Sequence, residues 1–94
     1  MKSGTLKNGF HYEFDETVAD DMRFVDLLVA AMDETLSVPR QLQVLVKVID
    51  TLLGKEQRER LYEHIAKEHD GRVPVGVFRD CFGEIMTGED SLKK

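Results

Sequence analysis

The sixteen residues VPRQLQVLVKVIDTLL, from Val38 to Leu53, decide the fold of this chain. A helical stripe of apolar side chains runs along them, at Leu42, Leu45, Ile49, Leu52 and Leu53. Val44, Val46 and Val48 add apolar side chains to faces that a surface helix gives to water. Because full burial of each such side chain contributes roughly 1.5 to 3 kcal/mol, we expect helices on several sides, or another protein chain, to cover this helix.

Residues at both ends of this segment favour a helix with defined boundaries. Ser37 is a good N-cap, and Pro39 is tolerated in the first turn because the amide there has no partner within a helix. Gly54 is typical of the position just after a helix. The central helix is therefore predicted to end at Gly54.

Three further helical patterns flank the central one. They should run from about Val18 to Thr35, from about Glu56 to Glu68, and from Val73-Pro74 to about Met86. The first carries one apolar stripe at Met22, Val25, Leu28, Val29 and Met32, broadened by Phe24, Leu27 and Ala31. The second of the three is strongly charged and has a narrow apolar side, whereas the last has a wide apolar face.

The first fifteen residues favour a β-hairpin. Strand Ser3 to Leu6 would pair with Phe10 to Phe14 through a turn at Asn8-Gly9, and the second strand has one aromatic face. An isolated two-stranded ribbon is marginal in water, so its aromatic face should pack on the helices. The alternative is that the open edge of the ribbon pairs with a neighbouring subunit.

The chain of 94 residues is predicted to be mainly α, a small bundle of about four helices preceded by an N-terminal β-hairpin. We expect a single domain over 1–94. It would consist of a hairpin or extended arm over 1–15, a helical bundle over 18–87 and a mobile tail over 88–94.

Charge and composition argue against several classes of protein. A formal net charge of -5 at pH 7 does not suit binding to nucleic-acid phosphates. The single cysteine, Cys81, cannot form an internal disulfide, which favours a reducing compartment. The N-terminus lacks an apolar signal core, and Lys47 and Asp50 interrupt the longest apolar run. We therefore expect neither secretion nor insertion into a membrane.

No residue pattern indicates catalysis, a metal or another cofactor. His64 and His69 are five residues apart and point to different sides of a helix, while His64 and Glu68 are more typical of solvated neighbours than of a metal pair. Cys81 suits a core position among aromatic residues, because a nucleophile would need an adjacent base or a positive environment. Paired carboxylates such as Asp20-Asp21 are explained by helix capping and solubility.

The second half of the chain invites comparison with a helix-turn-helix DNA reader. Arg58, Arg60 and Lys67 supply positive charge there. Glutamates alternate with these cations, however, and cancel the field that phosphate binding requires. A salt-bridged outer helix face is the better interpretation.

The order of features resembles the tail assembly chaperones of long-tailed siphophages of Gram-positive hosts. An extended N-terminal segment precedes the acidic entry to a Phe-containing helix at Ala19-Asp20-Asp21-Met22-Arg23-Phe24, and a Leu/Val-rich helix then ends in Leu52-Leu53-Gly54. The likeness continues through Lys55-Glu56-Gln57-Arg58-Glu59-Arg60-Leu61, the turn at Asp70-Gly71-Arg72-Val73-Pro74-Val75, the Glu84-Ile85-Met86 ending and Lys93-Lys94.

The resemblance implies a non-catalytic protein that coats the long, helix-rich tape measure protein and keeps it soluble while the phage tail assembles. It further implies a homo-oligomer, a frameshift-extended form of the same chain as a second partner, and a place in the cytoplasm of the infected bacterial host rather than in the mature virion. Candidate contact residues on the spare faces of the helices are Phe24, Val44, Val48 and Phe82.

Two other interpretations remain. The first is a small phage or bacterial regulatory module that binds its partner through a helix-in-groove contact. The second, less favoured, is an enzyme, which would need a concave pocket that gathers His64, Glu68 or Cys81.

Overall fold

The computed structural model describes residues 1 to 87, so the tail predicted at 88–94 lies outside the described part. Its elements confirm the mainly α fold with an N-terminal hairpin. In chain order they are β1 (Lys2–Thr5), β2 (His11–Phe14), α1 (Glu16–Ala19), α2 (Met22–Ala31), α3 (Val38–Leu53), α4 (Lys55–Glu68) and α5 (Val75–Thr87).

Helix α3 lies in the core along one broad face and is not covered on all sides, since Arg40, Gln43, Lys47 and Thr51 are exposed on its opposite side. It packs against α2, α4, α1 and strand β2. The side chains of Val48 and Ile49 have no exposed surface. The Ser37 hydroxyl accepts a hydrogen bond from the backbone amide of Arg40, and Gly54 ends the helix, which confirms both predicted boundaries.

The first predicted helix is wrong as a continuous element, because it breaks into α1 and α2. The Asp15 carboxylate caps α1 and the Asp21 carboxylate caps α2, where Asp21 itself has an extended backbone. Short polar side chains bond to nearby amides more readily than they sit inside a helix, so the chain stops and restarts at Asp20-Asp21. The prediction of four helices becomes five within residues 1–87.

This break decides which side of α2 faces the core. Phe24 is buried, and Leu27, Leu28 and Ala31 pack partly against the core from the same side. The other members of the predicted stripe turn away: Met22, Val29 and Met32 are 66%, 63% and 69% exposed. The single apolar stripe is therefore divided between two faces of α2.

Strands β1 and β2 form the predicted antiparallel hairpin. Lys2 is opposite Phe14 and Thr5 is opposite His11. The connection uses three residues, 7–9, because the amide of Leu6 still bonds to the carbonyl of Phe10. Gly9 has φ +93°, the left-handed conformation that closes such loops.

The hairpin is held on the helices by buried side chains and by specific polar contacts. Its aromatic residues Phe10, Tyr12 and Phe14 belong to the same core as α3, which confirms the intramolecular packing. On the outer edge of β2, the Gln57 side chain accepts a hydrogen bond from the Glu13 amide at 3.0 Å and donates one to the Glu13 carbonyl at 2.8 Å. One side chain of α4 thus satisfies the backbone groups that another strand would otherwise pair with.

Helices α3 and α4 are joined through Gly54, whose φ of +91° lets one helix end and the next begin at one residue. An ion pair ties them together across this bend. Arg58 donates from Nη2 to Asp50 Oδ2 at 3.2 Å and from Nε to Oδ1 at 2.5 Å, and its guanidinium lies 5.3 Å from the centre of the Tyr62 ring. The guanidinium fork links α4 to α3, while the Tyr62 ring, on α4 itself, helps to position the guanidinium.

We expect the substitution Gly4→Ala to destabilise the hairpin. A Cβ atom at position 4 would lie 2.5 Å from the Tyr12 hydroxyl oxygen and 2.8 Å from Cζ, so the buried ring would have to move. Overpacking of this kind costs about 1 to 3 kcal/mol, measurable by urea unfolding. Gly83→Ala is the control, because a Cβ atom at position 83 meets nothing within 4 Å. Since alanine favours a helix more than glycine does, this variant should raise the free energy of unfolding by about 1 kcal/mol. Unchanged stability in Gly4→Ala would contradict the packing of Tyr12 over Gly4.

A second prediction concerns acid stability. The hydroxyl and amide of Thr17 bond to the Asp15 carboxylate and lower its pKa below the ordinary value of 3.8, and Thr35 lowers the pKa of Asp33 in the same way. A lowered folded-state pKa contributes stability above about pH 4 that is lost as the pH falls through the folded pKa.

The double variant Asp15→Asn/Asp33→Asn should therefore be less stable than the parent protein at pH 7, with a difference that shrinks between pH 4 and pH 2. Urea unfolding followed by circular dichroism across this range measures it. A difference that stayed constant with pH would show that these carboxylates do not contribute through their charge.

Candidate protein-binding surface

His64, one of the residues that an enzyme pocket would need, contacts the hairpin loop, and so does Glu84 of α5. His64 is half-buried, its Nε2 atom lies 2.7 Å from the carbonyl oxygen of Asn8, and its ring packs edge-on against Phe10 at 5.7 Å. Glu84 accepts a hydrogen bond from the amide of Lys7 at 2.9 Å. Both side chains therefore anchor the hairpin loop to α4 and α5.

Cys81 lies in the core, as its position among aromatic residues predicts. Its side chain is 4% exposed, and Nδ2 of Asn8 lies 3.8 Å from its sulfur. Burial raises the pKa of the Cys81 thiol to about 11, and the nearby carboxylates of Glu84 and Asp80 add to the effect. This environment favours the protonated thiol at neutral pH, whereas a nucleophilic cysteine needs a lowered pKa.

Two structural observations concern metals and membranes. Among residues 1–87, no group of three or more histidine, cysteine, aspartate or glutamate side chains is arranged to hold a metal ion. Within the same residues, no helix has the length and apolar character needed to cross a bilayer.

One concave feature of the described residues is an open groove of about 560 Å³ between α2 and α5, above the N-terminal half of α3. Its apolar lining consists of Leu28, Ala31, Met32, Leu45, Phe82, Gly83 and Met86. Polar groups of Glu34, Gln41, Arg79 and Thr87 lie at its margins. An open, largely apolar groove bordered by helices has the shape and chemistry that accept an amphipathic helix.

The four contact residues predicted from the sequence have different environments. Phe24 is 2% exposed and Val48 is 0% exposed, so both side chains fill the core and leave almost no surface for a partner. Val44 is half-buried against the core. Phe82 is half-buried and lines the groove, so it alone of the four belongs to this surface.

A second apolar feature adjoins the groove on α2. Met22, Val25, Val29 and Met32 follow one another at spacings of three, four and three residues, and we call them the outer stripe of α2. Met32 belongs to both the outer stripe and the groove lining, so the two surfaces are continuous. The continuous surface runs from the outer side of α2 into the cleft beside α5.

Acidic residues border the outer stripe. Exposed carboxylates of Asp20 and Asp21 precede it, Asp26 lies beside it, and Asp33 and Glu34 follow it. Residues 20–34 contain these five carboxylates and one guanidinium, that of Arg23, which gives a local charge of -4 against -5 for the whole chain. Most of the net charge is therefore carried by one helix and its two ends.

Sequence reasoning missed this surface although every residue of the outer stripe was identified. Helical periodicity shows that apolar residues share a side of a helix, but it does not show whether that side faces the core. The sequence did contain one signal of an exposed apolar surface, because α2 has more apolar residues than a single core-facing side of a helix can hold.

Comparison with known proteins adds nothing to this geometry, since no protein-family model, curated protein or solved structure matches the chain.

The buried thiol gives a direct test of the core. We expect iodoacetamide at pH 8 to modify Cys81 at least about a hundredfold more slowly in the native protein than in urea, because a pKa of about 11 leaves little thiolate and burial restricts access. Mass spectrometry follows the reaction without ambiguity, since the chain has one cysteine. Equal rates in both states would show that Cys81 is accessible and reactive.

Proposed function

We propose that this chain is a non-catalytic protein-binding module that acts as a tail assembly chaperone. Its partner would be the helical tape measure protein, which it would keep soluble in the cytoplasm of the infected bacterial host until the tail tube forms. The observation that carries the proposal is the open apolar groove between α2 and α5. The resemblance of the sequence to tail assembly chaperones points to this particular partner.

The lining of the groove suits a partner with a repetitive and variable sequence. Met32 and Met86 lie on opposite walls. Methionine side chains are flexible and polarisable, so they adapt to different apolar side chains without requiring one shape. A chaperone that covers a long helix at many points needs loose contacts of this kind, repeated over many copies, rather than one tight site.

The proposal includes self-association and a longer form of the same chain. Many copies on one long partner would raise the total affinity through multivalency, even when each groove binds weakly. A frameshift-extended product would carry the same groove and add further contacts. Neither form would remain in the mature virion.

The test uses two glycines of α5 as a matched pair. A Cβ atom at Gly83 or at Gly76 meets nothing within 4 Å, but only Gly83 lines the groove. Gly83→Gln places a polar side chain at the groove without changing charge, and Gly76→Gln adds the same side chain outside it. Both variants should fold like the parent protein.

Each protein is co-expressed with a fragment of the tape measure protein encoded in the same tail gene cluster, and the soluble fraction of the fragment is measured. We expect the parent and Gly76→Gln to raise its solubility, and Gly83→Gln to weaken binding about tenfold, or 1.4 kcal/mol. A fragment whose solubility does not change with the parent protein, or a gene that lies outside any tail cluster, would refute the chaperone assignment.

A further inference from the structure

We propose that the outer stripe of α2 binds a basic amphipathic helix. This inference rests on the proposed protein-binding function and adds the chemical class of the partner to it. Its surface is the outer stripe together with the bordering carboxylates, whereas the proposed function rests on the groove itself.

The geometry of α2 provides one apolar strip for one partner helix. Helix α2 has 10 residues and is about 15 Å long, which matches three turns of a partner. Met22, Val29 and Met32 are each more than 60% exposed, and Val25 between them is half-buried. The four follow one another at spacings of three, four and three residues, which match the ridges of a second helix. A partner would therefore place side chains at i, i+3 or i+4, and i+7 against this strip.

The charges around the strip favour a cationic partner. Asp26 is one helical turn from both Met22 and Val29, so its carboxylate borders the middle of the strip. Asp20 and Asp21 lie at one end, and Asp33 and Glu34 at the other. Lysine or arginine side chains that flank the apolar face of a partner helix would meet carboxylates along the whole contact.

Two cations are close to this surface and do not change the sign of its charge. Arg23 is on α2, and Arg79 is on the far side of the groove, on α5. Against five carboxylates, they leave the region acidic. An acidic partner helix would therefore be repelled along most of α2.

The same charges argue against a second copy of α2 as the occupant. Pairing two copies along their outer stripes would bring together two segments that each carry a charge of -4. Like charges at such a contact oppose association, and the opposition is strongest at low salt. The described helices of this chain also offer no basic apolar face, because α4 alternates glutamates with its cations.

Fluorescence anisotropy with labelled peptides of about 14 residues tests the proposal. The probe is a leucine/lysine peptide with leucines at i, i+3, i+4 and i+7, and a leucine/glutamate peptide has the same apolar face with opposite charge. A scrambled leucine/lysine peptide has the same composition but no apolar face. We expect the amphipathic lysine peptide to bind at least about tenfold more tightly than either, and to weaken as salt rises.

Matched variants locate the site. Val29 and Val75 are exposed helix valines, 63% and 48%, and only Val29 lies on the outer stripe. We expect Val29→Gln to weaken binding of the lysine peptide about tenfold and Val75→Gln to leave it unchanged. Asp26→Asn should weaken binding and reduce its salt dependence, whereas Asp80→Asn, on α5, should do neither.

Several results would overturn the inference and leave the groove-based function standing. Equal affinity for lysine and glutamate peptides would refute the charge preference. An effect of Gly83→Gln without an effect of Val29→Gln would place the peptide in the groove rather than on the outer stripe. Concentration-dependent dimers that Val29→Gln abolishes, seen by light scattering, would show that a second copy covers the stripe. A failed chaperone assay with intact peptide binding would instead refute the tape measure assignment alone.

Discussion

The fold depends on covering the broad apolar face of α3. Its buried residues Leu45, Val48, Ile49, Leu52 and Leu53 share one broad face, and several neighbouring elements pack against it. Helices α2 and α4 and the hairpin each bury part of this surface. Helices of ten to fourteen residues and a hairpin of two four-residue strands are marginal alone, so contact with α3 stabilises each of them.

The hairpin packs on the helical core, and side chains of α4 pair with some of its backbone groups. Its aromatic side chains reach the core. A strand at the edge of a sheet normally leaves backbone amides and carbonyls without hydrogen-bond partners. Gln57 bonds to both backbone groups of Glu13, and His64 lies within hydrogen-bond distance of the Asn8 carbonyl. Two side chains of α4 therefore hold the hairpin in one position. The sequence predicted a charged outer face for this helix, and the structure shows that α4 also binds the hairpin.

The elements that the sequence predicts well are those set by local chemistry. Ser37 and Gly54 bound α3 through capping and a positive φ, both of which involve neighbouring residues only. The break at Asp20-Asp21 was missed although its cause is also local, because the apolar stripe continues past the Asp21 cap and favours an unbroken helix. The groove was missed because α2, α3 and α5 form it together, so Phe82 was identified as a contact residue without the residues that surround it.

Helix α2 combines two properties that oppose each other. Its inner face binds the core through Phe24, while its outer stripe exposes apolar side chains that would favour association with any apolar surface. The bordering carboxylates limit this tendency, because a partner must either neutralise them or pay their desolvation. In the interaction proposed for α2, apolar contact area would supply the affinity, and the acidic border would favour cationic helices. On such a surface, affinity and specificity would depend on different side chains of one helix: the apolar residues for affinity and the carboxylates for specificity.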